Sequence, residues 1–250
     1  MSLLSCEGLT KNFDGVKALA NFACAVKEGE IVGLIGPNGA GKTTLFNVLT
    51  GFIAADGGQA SFRGKPITEK PPYKITRMGI SRTFQILRLI NRLTVLDNTL
   101  LCFQNQPGEQ LGNIFFRYRQ STRQEAANRE KAVALLQQYG LGDKLNDLAD
   151  ALSYGQQKLL SLVCCLAAGA DLILLDEPVA GIAPEMIEKV LDVIKGLPAQ
   201  RKTVILIEHN MEAISRVCDR VIFMDAGEKI CEGTPDEVRN DPKVIEAYLD

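Results

Sequence analysis

No stretch of the 250-residue sequence is apolar for long enough to cross a bilayer. The longest candidate, residues 159–168, is too short and is interrupted by Ser161. The expectation is a cytoplasmic chain, one that acts at a membrane only through another subunit. The opening Met1-Ser2-Leu3-Leu4-Ser5-Cys6-Glu7 lacks the basic start and apolar core of a secretion signal. An excess of basic charge is also missing. Lys and Arg number 28 against 30 Asp and Glu, a net charge of −2, which weighs against a nucleic-acid partner. The seven cysteines are odd in number and contain no C-x-x-C spacing. Most sit inside apolar runs and read as reduced, small hydrophobes rather than as disulfides or metal ligands. Internal repeats, low-complexity tracts and long coiled coils are absent, and His209 is the only histidine.

What is present is organised around Gly36-Pro37-Asn38-Gly39-Ala40-Gly41-Lys42-Thr43, which fits G-x-x-x-x-G-K-[ST]. The apolar run 31–35 before it reads as a buried strand. The run after it, beginning at Thr44, reads as a helix ended by Gly51. That strand, loop and helix context is what makes the motif credible. Its glycines let backbone N–H groups surround phosphate oxygens, and the helix N-terminus adds a positive dipole end. Lys42 reaches the β- and γ-phosphates, and the Thr43 hydroxyl can hold Mg²⁺.

Around this loop the pattern is that of an α/β core. Residues 3–11 and 20–26 read as two short strands, with a loop over 10–16 between them. Phe13 in that loop has two readings, a hairpin hydrophobe or a flat surface for a purine. Asp56-Gly57-Gly58 marks a turn and 59–63 a short strand. Pro71-Pro72 opens a helix that Gly79 stops, and 80–84 is a strand ending at Gln85. From 86 to 165 the periodicity becomes helical. Ala132, Leu135, Leu136 and Tyr139 lie on one face, and the charged stretch 115–131 reads as a solvated helix face. Residues 87–165 are therefore expected to form a helical sub-domain inserted into a core made of 1–86 and 166–250. Continuous apolar runs at 172–175 and 203–207 predict central parallel strands. Residues 221–224 and 229–231 predict a hairpin, and Thr234-Pro235-Asp236-Glu237 a capped helix start.

Three further places carry candidate chemistry. Asp176 and Glu177 follow the apolar strand 172–175, at a strand end where ligands bind in an open α/β sheet. Asp176 can complete a Mg²⁺ site and Glu177 can polarise an attacking water; without the phosphate loop the pair would read as an acidic turn before Pro178. His209 follows a second strand end and is placed for a γ-phosphate contact. Ser153 and Gln156 form a capping box at the start of an apolar helix. The same helix end, with Gly155, offers N–H groups to a phosphate. A second phosphate-binding helix end invites a head-to-tail dimer with each ATP between two subunits.

The phosphate loop, Gln85, Leu152-Ser153-Tyr154-Gly155-Gln156, the strand with Asp176 and Glu177, and His209 occur in an order that resembles the nucleotide-binding subunits of ABC transporters. The likeness covers nearly the whole chain. It implies a P-loop NTPase core with a parallel sheet, an antiparallel β-subdomain and an inserted helical subdomain. It also implies that Phe13 stacks on adenine and that residues 36–44, including Thr44, bind ATP. Gln85 would sense Mg²⁺ and the attacking water, and Ser153, Gly155 and Gln156 would face the ATP of the opposite subunit. Ser81-Arg82-Thr83-Phe84-Gln85, the Tyr154-containing signature and the ending from Gly233 to Leu249 are similar to ATPases of branched-chain amino acid importers. The resemblance therefore implies two membrane permease subunits, a second ATP-binding subunit of the same or a different chain, and an extracytoplasmic substrate-binding protein reached indirectly. It implies a peripheral place on the cytoplasmic face of the inner membrane, with residues 86–103 in the surface that receives a permease helix. Urea, amide or lipopolysaccharide cargo, or a soluble ABC ATPase without a transport role, are the alternatives. Ala183 stands where many ABC ATPases have an aspartate.

Overall fold

The computed structural model describes residues 2–85, 87–104 and 118–249. Two sheets organise the chain. Strands β1 (Ser2–Phe13), β2 (Val16–Lys27), β4 (Gly57–Phe62) and β5 (Lys65–Pro66) form an antiparallel sheet in the order β2-β1-β4-β5. Strands β3 (Ile31–Ile35), β6 (Ile80–Arg82), β7 (Leu172–Asp176), β8 (Thr203–Ile207), β9 (Arg220–Asp225) and β10 (Glu228–Gly233) form the second, ordered β10-β9-β3-β8-β7-β6. Its pairings are parallel except β10 with β9, the hairpin expected around Asp225-Ala226-Gly227.

The continuous apolar runs are central strands, as predicted. Every residue of β3, β7 and β8 is buried. Side chains alternate across a strand, so each run feeds two cores. Ile31, Ile35, Ile173, Leu175, Val204 and Leu206 belong to one core. Val32, Leu34, Leu172, Leu174, Ile205 and Ile207 belong to the other. The second core is closed by α1 (Lys42–Leu49), through Leu45, Phe46 and Leu49, and by the antiparallel sheet, through Leu4, Leu9 and Phe22. The first is closed by helices. These include α3 (Val95–Leu100), α4 (Tyr118–Gln138), α5 (Tyr154–Ala167) and α6 (Pro184–Gly196). Remaining helices are α2 (Pro72–Met78), α7 (Met211–Val217), α8 (Pro235–Arg239) and α9 (Pro242–Leu249).

Caps fall where the sequence put them. Gly79 ends α2 with φ 106°, and Ser153–Gln156 and Thr234–Glu237 are both complete capping boxes. Ala132, Leu136 and Tyr139 are buried and Leu135 is half-buried, so the apolar face packs inward. Arg123, Glu125, Arg129, Glu130 and Lys131 are exposed, the solvated face that was expected. Ile86, Arg117 and the side chain of Arg119 lie outside the described residues.

The first two strands are longer than 3–11 and 20–26. Pairing continues from Lys11–Leu19 to Phe13–Val16 and closes on Asp14 and Gly15, both with positive φ. The outer half is largely exposed, so backbone pairing rather than apolar alternation holds it, and alternation is all a sequence displays. The loop expected over 10–16 shrinks to this two-residue turn. Strand β6 is shorter than 80–84; after the Thr83 N–H donates to Leu174 O at 2.9 Å the chain leaves the sheet.

Candidate functional site

The loop between β3 and α1 is shaped by glycine. A Cβ on Gly36, at φ 148°, would stand 1.9 Å from Met224 O, and one on Gly41, at φ 99°, 2.2 Å from Ala18 O. Neither position has room for a side chain. The loop closes around its own lysine. Lys42 is buried, and its Nζ donates to Gly36 O at 2.6 Å and Pro37 O at 2.8 Å. Burial pushes the ammonium below its ordinary pKa, and the Glu177 and Asp176 carboxylates oppose that shift.

Beside the loop lies a polar cleft of about 250 Å³. Asn38, Gly39, Ala40, Gly41, Lys42, Thr43 and Thr44 form one wall, and Gln85, Glu177 and His209 the other. The strand order explains the meeting. β3 lies next to β8, which lies next to β7, so the loop after β3 and the residues after β7 and β8 share one end of the sheet. Glu177 is gripped from both sides. Gln85 Nε2 donates to its Oε2 at 3.1 Å, and His209 Nε2 is 3.3 Å from its Oε1. Its backbone has φ 49°, a left-handed value uncommon outside glycine.

The remaining predicted residues are placed differently. Asp176 is buried one residue back, behind the cleft wall. Its Oδ2 accepts from Arg82 Nη2 at 2.7 Å, and its N–H donates to Thr83 Oγ1 at 3.1 Å. Phe13 sits at the tip of the β1–β2 hairpin, 42 % exposed, with Lys11 Nζ 5.4 Å from its ring centre. It is therefore not a core hydrophobe. Ser153, Gly155 and Gln156 do not line this cleft. Ser153 Oγ accepts from the Gln156 N–H at 3.3 Å and Gln156 Oε1 from the Ser153 N–H at 2.9 Å. Gly155 is buried, and a Cβ there would stand 2.4 Å from Met186 Cγ of α6.

Sequence reasoning assigned no role to Arg82, Lys158 or Glu208. Arg82 also donates to Asn47 Oδ1 of α1 at 2.6 Å. Its charge in the short strand Ile80–Arg82, directly before Thr83 and Phe84, is the signal that could have found it. Glu208 is buried and accepts from the N–H groups of Val179 and His209 at 2.9 and 3.2 Å. Burial raises its pKa, and those N–H groups and the Lys158 charge oppose the rise.

A separate, larger groove of about 430 Å³ lies between α2, α3, α5 and the segment after β6. Phe52, Phe84, Leu101 and Cys164 line it, and Arg88 covers its aromatic corner with its guanidinium 3.7 Å from the Phe84 ring centre. Among the described residues no helix is long and apolar enough to cross a membrane.

Comparison with known proteins agrees with this fold. Residues 19–180 match the ABC transporter family, and residues 228–249 match the family described as branched-chain amino acid ATP-binding cassette transporter. The high-affinity branched-chain amino acid transport ATP-binding protein LivG of Salmonella typhimurium is 37 % identical over 248 residues, which cover 99 % of this chain and 97 % of that one. A probable branched-chain amino acid transport ATP-binding protein LivG of Archaeoglobus fulgidus is 36 % identical over 249 residues, covering 100 % and 96 %. The solved ADP conformation of an ATP-binding cassette of an ABC transporter superposes with a TM-score of 0.86 at 36 % identity, covering 100 % of this chain and 99 % of that one. With the family matched over residues 19–180 and a member 37 % identical along 99 % of the sequence, the chain belongs to the ABC transporter family.

Proposed function

We propose that the chain is the ATP-hydrolysing subunit of an importer for branched-chain amino acids. The observation that carries the reading is Glu177, held between Gln85 and His209 at the mouth of the phosphate-loop cleft. The match of residues 228–249 and the names of the relatives support the amino acid cargo.

In this reading the loop 36–43 and Thr44 hold the phosphates through backbone N–H groups, and Lys42 turns from its loop carbonyls to the β- and γ-oxygens. Phe13, exposed on its hairpin, stacks on adenine. Thr43 and Gln85 line the cleft and the Asp176 carboxylate stands one residue behind its wall, paired with Arg82; hydroxyl, amide and carboxylate oxygens of this kind suit Mg²⁺, which these three residues would hold. An ion held by these residues would supply charge neutralisation for the transferring phosphoryl group. Glu177 accepts a proton from the attacking water, and the Gln85 and His209 contacts fix its carboxylate for that task. His209 then supports the γ-phosphate.

Ser153, Gly155 and Gln156 stand at the capped end of α5, outside their own cleft, and serve the ATP of a second ATP-binding subunit. Residues 87–165 act as a helical sub-domain inserted into the core of 1–86 and 166–250. The groove beside Phe84 and Arg88 receives a helix of one membrane permease subunit while the second ATP-binding subunit engages the other permease, so the chain works peripherally on the cytoplasmic face of the inner membrane. An extracytoplasmic substrate-binding protein delivers cargo to the permeases.

Glu177→Gln is the test. Hydrolysis should fall by about 10²- to 10⁴-fold, the range for loss of a positioned general base, while ATP binding persists. The ATP-loaded variant, recovered from native membranes, should bring down two multi-span permease proteins by mass spectrometry. Unaltered hydrolysis would refute the role of Glu177, and recovery of soluble partners alone would refute transport.

A further inference from the structure

Glu177 stands in a left-handed backbone conformation, φ 49°, that costs free energy in a residue with a side chain. Something must hold it. Its own N–H donates to Ile207 O at 2.9 Å, which anchors one side of the turn. The turn from 177 to 180 is closed by the Ala180 N–H donating to Glu177 O at 3.3 Å and is further held by two charges from elsewhere in the fold. Lys158 Nζ donates to Glu177 O at 2.6 Å and to Ala180 O at 2.7 Å. Glu208 Oε1 accepts from the Val179 N–H at 2.9 Å. A cation thus binds the two outer carbonyls while an anion binds the N–H between them.

The origin of Lys158 gives this arrangement its meaning. It lies on α5, a little over one turn after the capped end that carries Ser153 and Gly155. Tyr154 is its neighbour at i−4. The Lys158 ammonium lies 5.1 Å from the Tyr154 ring centre, and the same ring is the nearest atom group to Gly181, where a Cβ would stand 3.6 Å from Tyr154 Cε1. Helix α5 therefore reaches the turn after β7 through one charge, at the carbonyls of 177 and 180.

We propose that Lys158, opposed by Glu208, is the positioning residue that holds Glu177 in its working conformation and so ties the hydrolytic carboxylate to helix α5 of the same chain. The proposal rests on the reading of Glu177 as the base. Any shift of α5, whose N-terminus in that reading contacts the partner subunit's nucleotide, is passed through the Lys158 ammonium to the backbone of Glu177. One ATP site would thereby set the geometry of the other without a contact between the two nucleotides. The chemistry requires a cation with at least two N–H donors at 158, which arginine supplies and methionine does not.

The test compares Lys158→Met, Lys158→Arg and Glu177→Gln in the full chain. In the nucleotide-free protein, amide hydrogen exchange at Glu177, Val179 and Ala180 should rise about tenfold or more in Lys158→Met, while the core amides of α5 keep their protection. With ATP, kcat should fall by roughly 10- to 100-fold, the scale of a misplaced catalytic group, with the ATP dissociation constant changed by no more than about twofold. Lys158→Arg should restore both readouts. Should Lys158→Met fail to fold, Lys158→Gln, which keeps one donor, should show an intermediate loss. Normal kcat and unchanged exchange in Lys158→Met overturn the proposal, as does a uniform loss of protection along α5 together with weaker ATP binding, which marks a purely structural lysine. An inactive Glu177→Gln beside a normal Lys158→Met refutes only the positioning role, whereas an active Glu177→Gln refutes the base on which it rests.

Discussion

Arg82 and Asp176 form an ion pair in the interior, Nη2 to Oδ2 at 2.7 Å, with side chains 4 % and 5 % exposed. Phe46 and Phe84 lie 5.3 and 5.0 Å from the guanidinium, and Asn47 of α1 takes its other prong. The pair fastens the strand before Gln85 to the carboxylate at the end of β7 and to the helix that follows the phosphate loop. Three motifs far apart in the chain are thus locked by one side chain.

Removing one partner of such a pair strands the other as an uncompensated buried charge. Arg82→Met should lower the unfolding free energy by about 3–5 kcal/mol, read from the denaturant midpoint. Arg82→Met combined with Asp176→Asn should recover at least about 1 kcal/mol relative to the sum of the single changes, since neighbours in contact do not add. Additive losses would show that the pair is not coupled.

Ala183 begins α6 at the N-cap, in extended conformation and without a side-chain acceptor for the first N–H groups. Ala183→Asp supplies that acceptor. The gain should be about 1 kcal/mol, raising the melting midpoint by roughly 2–4 °C for a chain of this size. Calorimetry on the nucleotide-free protein measures it, and an unchanged midpoint would show that the helix start is satisfied in another way.

The acid limb of stability should depend on Glu30. Burial acts to raise its pKa, but Arg220 and the Lys27 N–H outweigh burial, so the folded value lies below the ordinary 4.5. Arg220 Nε and Nη2 reach the two oxygens at 2.8 and 3.1 Å, and Arg220 Nη1 also meets Glu232. A carboxyl with a depressed folded pKa contributes stability that is complete above its unfolded value and is lost as pH falls through the folded one. Denaturant midpoints taken from pH 7 down to 3 should therefore fall more steeply below pH 4.5 in the native chain than in Glu30→Gln. Parallel curves would remove Glu30 from the acid response.

The phosphate loop was legible because its glycines, lysine and threonine lie within eight residues and their spacing encodes the loop. The caps at Ser153 and Thr234 were legible for the same reason, since their bonds span three residues. The central strands showed as unbroken apolar runs because both their faces are covered. Strand ends followed from the runs, and with them the positions of Asp176, Glu177 and His209. The outer half of the β1–β2 hairpin was not legible, because cross-strand backbone bonds leave no mark in the side-chain pattern.

The sequence by itself determined the central strands, the capped helix starts at Ser153 and Thr234 and which residues are candidates for phosphate chemistry. Those properties arise from interactions within a few residues and from the apolar period. Only the tertiary structure decided what those residues touch. Arg82 meets Asp176 across 94 positions, Gln85 meets Glu177 across 92, and Lys158 reaches Glu177 from a helix 19 residues upstream. Each of these contacts depends on the order β3-β8-β7-β6 and on α5 packing against that sheet. A charge placed by strand order is invisible to spacing, because its partner is chosen by which strand folds beside it.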